Sequence, residues 1–465
     1  MNTLSAFLRT LSAVLLGLLL VATAVVPDGQ SATTSMAYAD VRPILDALRA
    51  NLVPPDLRER TSGEIEALWP EWVSRRNAAI RARVEAGDED SIIHLLLFGT
   101  AFTRAPRASD RDLAALATSP AEGLRALRPR VDDFAAAVVV PGNNERLQFA
   151  RRLIERKGID VNTEAGRMQL RRYLDERTHA VGGSVLSSTI LDPSADLTDK
   201  LTVFRNRGLS ADTSIFIDLG IERALDAMKT GSVLASGSVQ HVAIIGPGLD
   251  FTDKLGGYDF YPEQTIQPFA LMDSLLRLDL AGDGRVEIAA FDLSPRVLRH
   301  LELARERARA GIPYSLVLPR DTDRAWTAEL LEYWGRLGNW VGSDTKPVAP
   351  PQEAGRVEVR TMLVRPPVVL SVTPVDLNIV TERIDLQFDL VIATNILLYY
   401  DVFEQSMAAT NIARMLRPGG FLLTNNRIFE LPNSPLAGVG FTDATYMSLP
   451  GVGDAGDRVI WYQRQ

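Results

Sequence analysis

The fold of this chain is decided by residues 241–248, which read HVAIIGPG. The four consecutive apolar residues 242–245 suit a strand that is buried on both faces of a parallel sheet. Gly246 and Gly248 then form a tight turn of the kind that lets a backbone approach a ligand where a side chain would clash. Such a turn can also serve chain reversal alone, so by itself it leaves open whether a ligand binds there.

Short apolar runs of the same kind recur along the second half of the chain, and helical stretches separate most of them. This alternation predicts an α/β fold with a doubly wound, mostly parallel sheet. Two strand-like stretches joined by a glycine-rich segment end the chain and predict a C-terminal antiparallel hairpin. The further predicted strands are 286–291, 368–372, 388–393, 421–424, 444–449 and 458–462, with helices that include 295–310 and 403–416.

These patterns divide the chain into segments. Residues 40–180 carry apolar residues at helical spacing and predict a helical domain, with one helix beginning at Ser62 and another over 88–102. Residues 181–240 connect it, through a further helix, to the α/β domain of residues 241–465. Within that domain, residues 321–365 break the alternation and contain a proline-rich stretch, so we interpret them as a surface insertion.

Two aspartates stand where strands of the predicted sheet end. Asp292 closes one apolar run, and Ser294 and Pro295 after it begin a helix. A carboxylate at this point can accept hydrogen bonds from both hydroxyls of a ribose, or it can serve as a second helix cap. Asp376 follows the next predicted strand and suits hydrogen bonding to an adenine edge, although an ordinary loop aspartate fits there as well.

Polar and aromatic residues follow the predicted strand 388–393. Asn395 comes first, and Tyr399 and Tyr400 come next. Ligands of doubly wound sheets bind at the carboxyl ends of the strands, where these side chains are expected to lie. Residues 416–423, which read LRPGGFLL, then end a helix, turn the chain and begin another strand.

In this order, these motifs resemble those of class I S-adenosylmethionine-dependent methyltransferases, over about residues 203–465. Within that class the chain looks most similar to the chemotaxis-receptor methyltransferase type, on the segments 395–401 and 267–272. That family has an acidic residue where Gln267 stands, which puts receptor glutamates in doubt as the substrate. The resemblance implies S-adenosyl-L-methionine as cofactor, with its methionine part at Gly246 and Gly248, its ribose at Asp292, its adenine at Asp376, its sulfonium near Asn395, and the substrate beside Tyr399 and Tyr400.

One departure from a compact nucleotide site concerns the loop after the glycine turn. Gly246 and Asp292 are 46 positions apart, against about 20 in a dinucleotide-binding fold. The additional residues include the polar and aromatic segment 258–263, which we interpret either as a lid over cofactor or substrate or as a plain surface insertion. Phe251 stands where a dehydrogenase would have its third glycine, which argues against a bound pyrophosphate.

The composition excludes several classes of function. The chain of 465 residues has a net charge of −8, which argues against a nucleic-acid partner, because nucleic-acid binding needs a basic surface. It contains no cysteine, so disulfides, thiolate nucleophiles and cysteine metal sites are excluded. His94 and His179 are far apart in sequence and stand near no carboxylate cluster, so no metal site is predicted.

The first 39 residues are predicted to be a signal peptide or a membrane anchor. An apolar run over 11–26 follows Arg9, and small-x-small cleavage patterns end at Ala24 and Ala39. No basic residue follows the run until Arg42, so the positive-inside rule predicts that the body of the protein crosses the membrane. Translation from Met36 would instead produce a cytoplasmic protein.

The partner that the resemblance implies is a small-molecule or protein methyl acceptor, which the sequence does not identify. It identifies no catalytic base either, because methyl transfer from a sulfonium requires mainly in-line positioning and exclusion of water. A base is needed only for an acceptor that is protonated at the working pH. An exported chain would lack access to a cofactor made in the cytoplasm, so a non-catalytic exported binding protein that retains the fold is the alternative. A structural or interaction role centred on residues 40–180 is a third.

Overall fold

The computed structural model describes residues 33–189, 209, 215–253, 256–282, 285–432, 434–449 and 453–465. The apolar run 11–26 therefore lies outside the described residues. Within the described ranges, no helix combines the length and the apolar character that a membrane span requires.

After a short first strand, the elements of the described residues up to 230 are helical, and both strands and helices occur from residue 241 onward. The strands are β1 (Thr33–Ser35), β2 (His241–Ile245), β3 (Glu287–Asp292), β4 (Tyr314–Asp321), β5 (Gly342–Thr345), β6 (Val357–Val364), β7 (Val372–Asp376), β8 (Glu382–Ile384), β9 (Phe388–Ile392), β10 (Leu416–Thr424), β11 (Leu436–Leu449) and β12 (Gly453–Arg464). The helices are α1 (Tyr38–Ala47), α2 (Ser62–Phe98), α3 (Asp110–Thr118), α4 (Pro120–Val139), α5 (Glu145–Arg156), α6 (Glu164–Thr189), α7 (Ile215–Thr230), α8 (Gln267–Arg277), α9 (Pro295–Arg309), α10 (Ala328–Arg336), α11 (Pro366–Leu370) and α12 (Val402–Met415).

A seven-stranded sheet forms the centre of the second half of the chain, in the order β11-β12-β10-β9-β2-β3-β7. The strands β7, β3, β2, β9 and β10 are parallel neighbours, and β12 pairs antiparallel with both β10 and β11. The predicted doubly wound, mostly parallel sheet with a C-terminal antiparallel hairpin is confirmed.

Each face of this sheet is buried, and the central strands β2, β3 and β9 are apolar at most positions. One face, which includes Val242 and Ile244, packs against α7, α8 and α9. The other face, which includes Ala243 and Ile245, packs against α12, α1 and the first half of α2. The segment 36–80 therefore shares a hydrophobic core with the sheet, although it precedes β2 by more than a hundred residues.

The rest of the helical region has its own core, built from residues between Ile92 and Leu174 on α2 to α6. Phe251, from the loop after β2, is the residue of the sheet region that enters this core. The helix α2 thus contributes its first half to one core and its second half to another. The predicted boundaries at residues 40, 180 and 240 remain predictions.

Three predicted elements, one strand and two helices, differ from the structure. The predicted strand 368–372 is wrong, because Pro366 and Pro367 begin the short helix α11 and the strand β7 starts only at Val372. The two helices predicted from Ser62 and over 88–102 are one continuous helix, α2, which begins with a capping box between Thr61 and Glu64. Gly87 alone does not break it, since a single glycine inside a helix costs only about 1 kcal/mol relative to alanine.

The segment predicted as a surface insertion at about 321–365 is folded and begins earlier. Its strands form a second, antiparallel sheet in the order β4-β6-β5, whose first strand starts at Tyr314. Helix α10 lies between β4 and β5 and buries Leu330 and Tyr333 against the core of the main sheet. The insertion is therefore part of the molecule's core as well as of its surface.

Candidate active site

The turn after β2 has the backbone geometry that only glycine adopts without strain. Gly246 and Gly248 have φ angles of 70° and 65°. Space is also lacking at Gly246, because an added Cβ would stand 2.2 Å from Cδ1 of Ile396 and 2.9 Å from its Cγ1. The amide of Gly246 donates to the carbonyl oxygen of Phe291 at 2.8 Å. The turn therefore lies between the ends of β3 and β9.

Asp292 is the last residue of β3 and faces the glycine turn. Its Oδ1 accepts a hydrogen bond from the amide of Ser294 at 2.7 Å. Burial raises the pKa of Asp292 to about 6. The backbone amides of Ser294, Leu293 and Gly248 act in the opposite direction, because their hydrogen bonds favour the charged carboxylate. The carboxylate thus bridges the turn after β2 and the start of α9, and it combines the capping role with a position at the edge of the sheet.

Asp376 is the last residue of β7 and pairs in register with Asp292 on β3. Its side chain forms an ion pair with Arg81 of α2, with 2.6 Å between Nη1 and Oδ1. The same guanidinium lies 3.1 Å from Oε2 of Glu382. A ligand at Asp376 would therefore meet this arginine as well, and the adenine-binding role of Asp376 remains a prediction.

Asn395 follows β9 and has a left-handed backbone with φ of 58°, which asparagine tolerates better than most residues. It is tied to Asn425, which follows the neighbouring strand β10. The amide of Asn395 donates to Oδ1 of Asn425 at 2.8 Å, and Nδ2 of Asn425 donates to Oδ1 of Asn395 at 2.8 Å. Two strand ends are thereby fixed relative to each other.

Tyr399 and Tyr400 lie in the turn between β9 and α12, and both are buried. Arg83 of α2 donates to the carbonyl oxygen of Tyr399, and its guanidinium lies 5.8 Å from the centre of the Tyr400 ring. Burial raises the pKa of Tyr400, and Asp292 is among the neighbouring charges that add to this effect. Tyr400 therefore lies close enough to Asp292, the residue predicted to bind the ribose, to be affected by its charge.

The predicted site residues are brought together by the parallel sheet. Gly246, Asp292, Asp376 and Asn395 come at the ends of β2, β3, β7 and β9, which are neighbours in that sheet. The carboxyl ends of parallel strands share one edge, so all four lie at the same edge. Sequence analysis missed the two arginines that meet this edge, Arg81 and Arg83, because they come from a helix about 300 residues earlier, and the local sequence around them carries no signal.

The loop between the glycine turn and α8 is clamped by the helical region and is not a plain surface insertion. The carboxylate of Asp259 accepts hydrogen bonds from the amides of Thr100 and Ala101 at 2.9 and 3.0 Å. Arg146 of α5 is 2% exposed and donates to the carbonyl oxygens of Phe251 and Tyr261. These contacts hold the loop against the segment that directly follows α2 and against α5.

Comparisons with known proteins find similarity in solved structures alone. No family model matches the chain, and no curated protein sequence matches it. The similar solved structures include N-methyltransferase NodS from Bradyrhizobium japonicum WM9 in complex with S-adenosyl-L-homocysteine. It shares 12% identity over 52% of this chain and 86% of its own, with a TM-score of 0.23.

Two further solved structures are also methyltransferases. The StiE O-MT segment shares 11% identity over 52% of this chain and 74% of its own, with a TM-score of 0.26. The mitomycin 7-O-methyltransferase MmcR shares 12% identity over 86% of this chain and 99% of its own, also with a TM-score of 0.26. None of these matches supports the closer likeness to the chemotaxis-receptor type. Because all three TM-scores are low, the fold assignment rests on the strand order and connectivity of the chain itself.

Proposed function

We propose that the chain is an S-adenosylmethionine-dependent methyltransferase. The observation that carries the proposal is the convergence of Asp292 with the left-handed turn of Gly246 and Gly248 at one edge of the parallel sheet. A carboxylate at this position can accept hydrogen bonds from ribose hydroxyls, and the glycine turn leaves room for the rest of the cofactor to approach the backbone.

The residues at this edge fit the cofactor. A Cβ at Gly246 would collide with the side chain of Ile396, so this position of the turn requires glycine. Asp292 and Asn395 supply hydrogen-bonding groups on either side of the turn. Gly246 and Gly248 would bind the methionine part, Asp292 the ribose, and Asn395 the region near the sulfonium. When bound, S-adenosyl-L-methionine supplies an activated methyl group, and the chain's own residues orient the acceptor and exclude water.

A dinucleotide fits this site less well. Phe251 stands at the position of the third glycine, is fully buried, and packs against Phe149 with 5.6 Å between ring centres. A pyrophosphate would have to displace this ring from the core of the helical region. S-adenosyl-L-methionine has no phosphate and makes no such demand.

Thermal unfolding with two ligands tests the proposal. A ligand that binds only the folded state at a hundred times its Kd stabilises it by about 2.7 kcal/mol. We therefore expect S-adenosyl-L-homocysteine to raise the melting temperature by several degrees, and NAD at the same concentration to leave it unchanged. If S-adenosyl-L-homocysteine at millimolar concentration does not stabilise folded protein, the proposal is wrong.

The second question is the side of the membrane on which the protein acts. We propose that residues 40–465 lie outside the cytoplasm, because Arg9 precedes the apolar run 11–26 and the first basic residue after the run is Arg42. An alkaline phosphatase fused at Gln465 would then be active. A fluorescent protein that folds in the cytoplasm at that position, with translation starting at Met36, would contradict this and would remove the main support for a non-catalytic exported binding protein.

A further inference from the structure

A buried carboxylate that the proposed function leaves unused stands close to the candidate active site. Asp218, in the first turn of α7, is 3% exposed. Neither of its oxygens accepts a hydrogen bond of good geometry within the described part of the chain. The one described neighbour that favours its charged form is the neutral side chain of Gln267. Burial raises the pKa of Asp218 well above its usual range.

Gln267 connects Asp218 to the edge of the sheet. It is the first residue of α8, which follows the loop after β2, and its Nε2 donates to Oγ1 of Thr394 at 3.0 Å. Thr394 directly precedes Asn395, which the resemblance assigns to the region near the sulfonium. Gln267 therefore links Asp218, which it neighbours, to the residue that precedes Asn395.

A tyrosine and a second carboxylate, Tyr446 and Asp457, also lie in the neighbourhood of Asp218. The hydroxyl of Tyr446 is buried, and the neighbouring charges that raise the pKa of Tyr446 are those of Asp457 and Asp218. Asp457 accepts a hydrogen bond from Nδ2 of Asn425 at 3.3 Å. Asn425 is also hydrogen-bonded to Asn395, so Asp457 is linked to the candidate active site through Asn425.

Asp218, Tyr446 and Asp457 form a cluster, and the sequences of α7 and β11 make room for it. A Cβ at Gly220 would stand 2.9 Å from the hydroxyl oxygen of Tyr446. The pairing of β11 with β12 shifts register between Thr445 and Met447, and such a bulge redirects the side chain at that point of a strand. Glycine and bulge together bring the hydroxyl over the first turns of α7.

The charge of the cluster indicates what it binds. No described arginine or lysine stabilises Asp218 or Asp457. A buried carboxylate without a cation or adequate hydrogen bonds is costly and is relieved either by a proton or by a cationic ligand. An ammonium group satisfies this need because it carries a positive charge and several N–H donors.

We infer that the methyl acceptor is an amine, which binds as an ammonium ion at Asp218 and gives a proton to that carboxylate. This inference rests on the proposed function. The proton transfer leaves a neutral amine with a free lone pair. That lone pair forms the new bond to the methyl carbon, while the carbon–sulfur bond of the sulfonium breaks and its electron pair remains on sulfur. The products are S-adenosyl-L-homocysteine and a methylated ammonium, and Asp218 returns its proton to water when the product leaves.

Two cofactor analogues test this inference by calorimetry on the full chain. Sinefungin carries CH–NH3⁺ where S-adenosyl-L-methionine carries its methylated sulfonium, so its ammonium occupies the position of the transferred methyl. S-adenosyl-L-homocysteine has no group there. We expect the wild type to bind sinefungin at least tenfold more tightly than S-adenosyl-L-homocysteine, and Asp218→Asn to reduce this ratio to within threefold of one while its affinity for S-adenosyl-L-homocysteine changes less than twofold.

Asp226→Asn is the matched control, because Asp226 lies on the same helix and is exposed. It should keep the wild-type ratio. An unchanged ratio in Asp218→Asn would mean that Asp218 is only a structural residue and would overturn the inference, as would a wild type without preference for sinefungin. Failure to bind S-adenosyl-L-homocysteine at all would instead overturn the proposed function. Each ratio compares two ligands on the same variant, so a difference in the amount of folded protein between variants does not affect it. Asp218→Ala gives the same readout if the asparagine variant folds poorly.

Discussion

Replacing Arg130 by methionine is expected to lower the free energy of unfolding of the helical core by about 3–5 kcal/mol. Arg130, on α4, is 2% exposed, and its guanidinium donates to carbonyl oxygens of four residues, Leu96, Gly99, Ala105 and Pro106, at 2.5–3.2 Å. Methionine fills much of the volume but leaves these acceptors without a donor, at about 1–3 kcal/mol for each buried one. Burial lowers the pKa of Arg130 to about 10, so the side chain stays charged at neutral pH.

Urea unfolding followed by circular dichroism measures this loss. Arg125→Met is the control, because Arg125 is exposed on the same helix, and a surface substitution of this kind changes stability by about 0.5 kcal/mol at most. If Arg130→Met lowers the free energy of unfolding by less than about 1 kcal/mol, the carbonyl groups find other partners and the arginine is not needed to hold the segment 96–106. That segment contacts Asp259 in the loop between the glycine turn and α8. The expected loss of stability would therefore also loosen this loop beside the candidate site.

Replacing Asp292 by alanine is expected to weaken binding of S-adenosyl-L-homocysteine by about 1.5–3 kcal/mol, the range for hydrogen bonds to a charged group. This corresponds to roughly a 10- to 150-fold increase in Kd. The physical reason is the loss of the carboxylate that faces the turn of Gly246 and Gly248. Asp385→Ala is the control, because Asp385 is exposed and precedes β9, at the opposite edge of the sheet. An unchanged affinity in Asp292→Ala would mean that the carboxylate serves only to cap the start of α9, through the amide of Ser294.

The same site should show a pH dependence with a defined direction. Burial raises the pKa of Asp292 to about 6, and the charged form is the better acceptor for ribose hydroxyls. The affinity for S-adenosyl-L-homocysteine should therefore fall as the pH is lowered through about 6. In Asp292→Asn, which has no ionisable group at that position, this fall should be absent. An equal fall in both proteins would assign it to another group.

Most of the parallel strands could be predicted from sequence because they contain a short run of apolar residues, a signal that needs no information from elsewhere in the chain. Residues 242–245 are buried on both faces and form a continuous apolar run, and residues 388–392 are buried and apolar except at Asp389. The glycine-rich connection before Arg458 likewise marks the hairpin. The apolar residues Val368, Val369 and Leu370 predict the start of β7 too early, because the two prolines before them begin a helical turn instead.

The candidate site could be predicted only where its residues follow strands directly. Gly246, Asp292 and Asn395 are located by the ends of β2, β3 and β9, and parallel pairing then brings them together. The partners from distant segments could not be predicted in this way. Arg81 reaches Asp376 across 295 residues of sequence, and Asp218 lies beside Gln267 because α7 and α8 cover the same face of the sheet. Both contacts depend on packing between elements, which local periodicity does not encode.

Isothermal titration calorimetry of the purified protein with S-adenosyl-L-homocysteine tests the central claim most directly. We predict saturable binding of one ligand per chain, with affinity lost on acidification through about pH 6 and with no heat from NAD under the same conditions. The absence of saturable heat with millimolar S-adenosyl-L-homocysteine, in protein whose circular dichroism and cooperative unfolding show it to be folded, would contradict the claim that this edge of the sheet is a methyltransferase site.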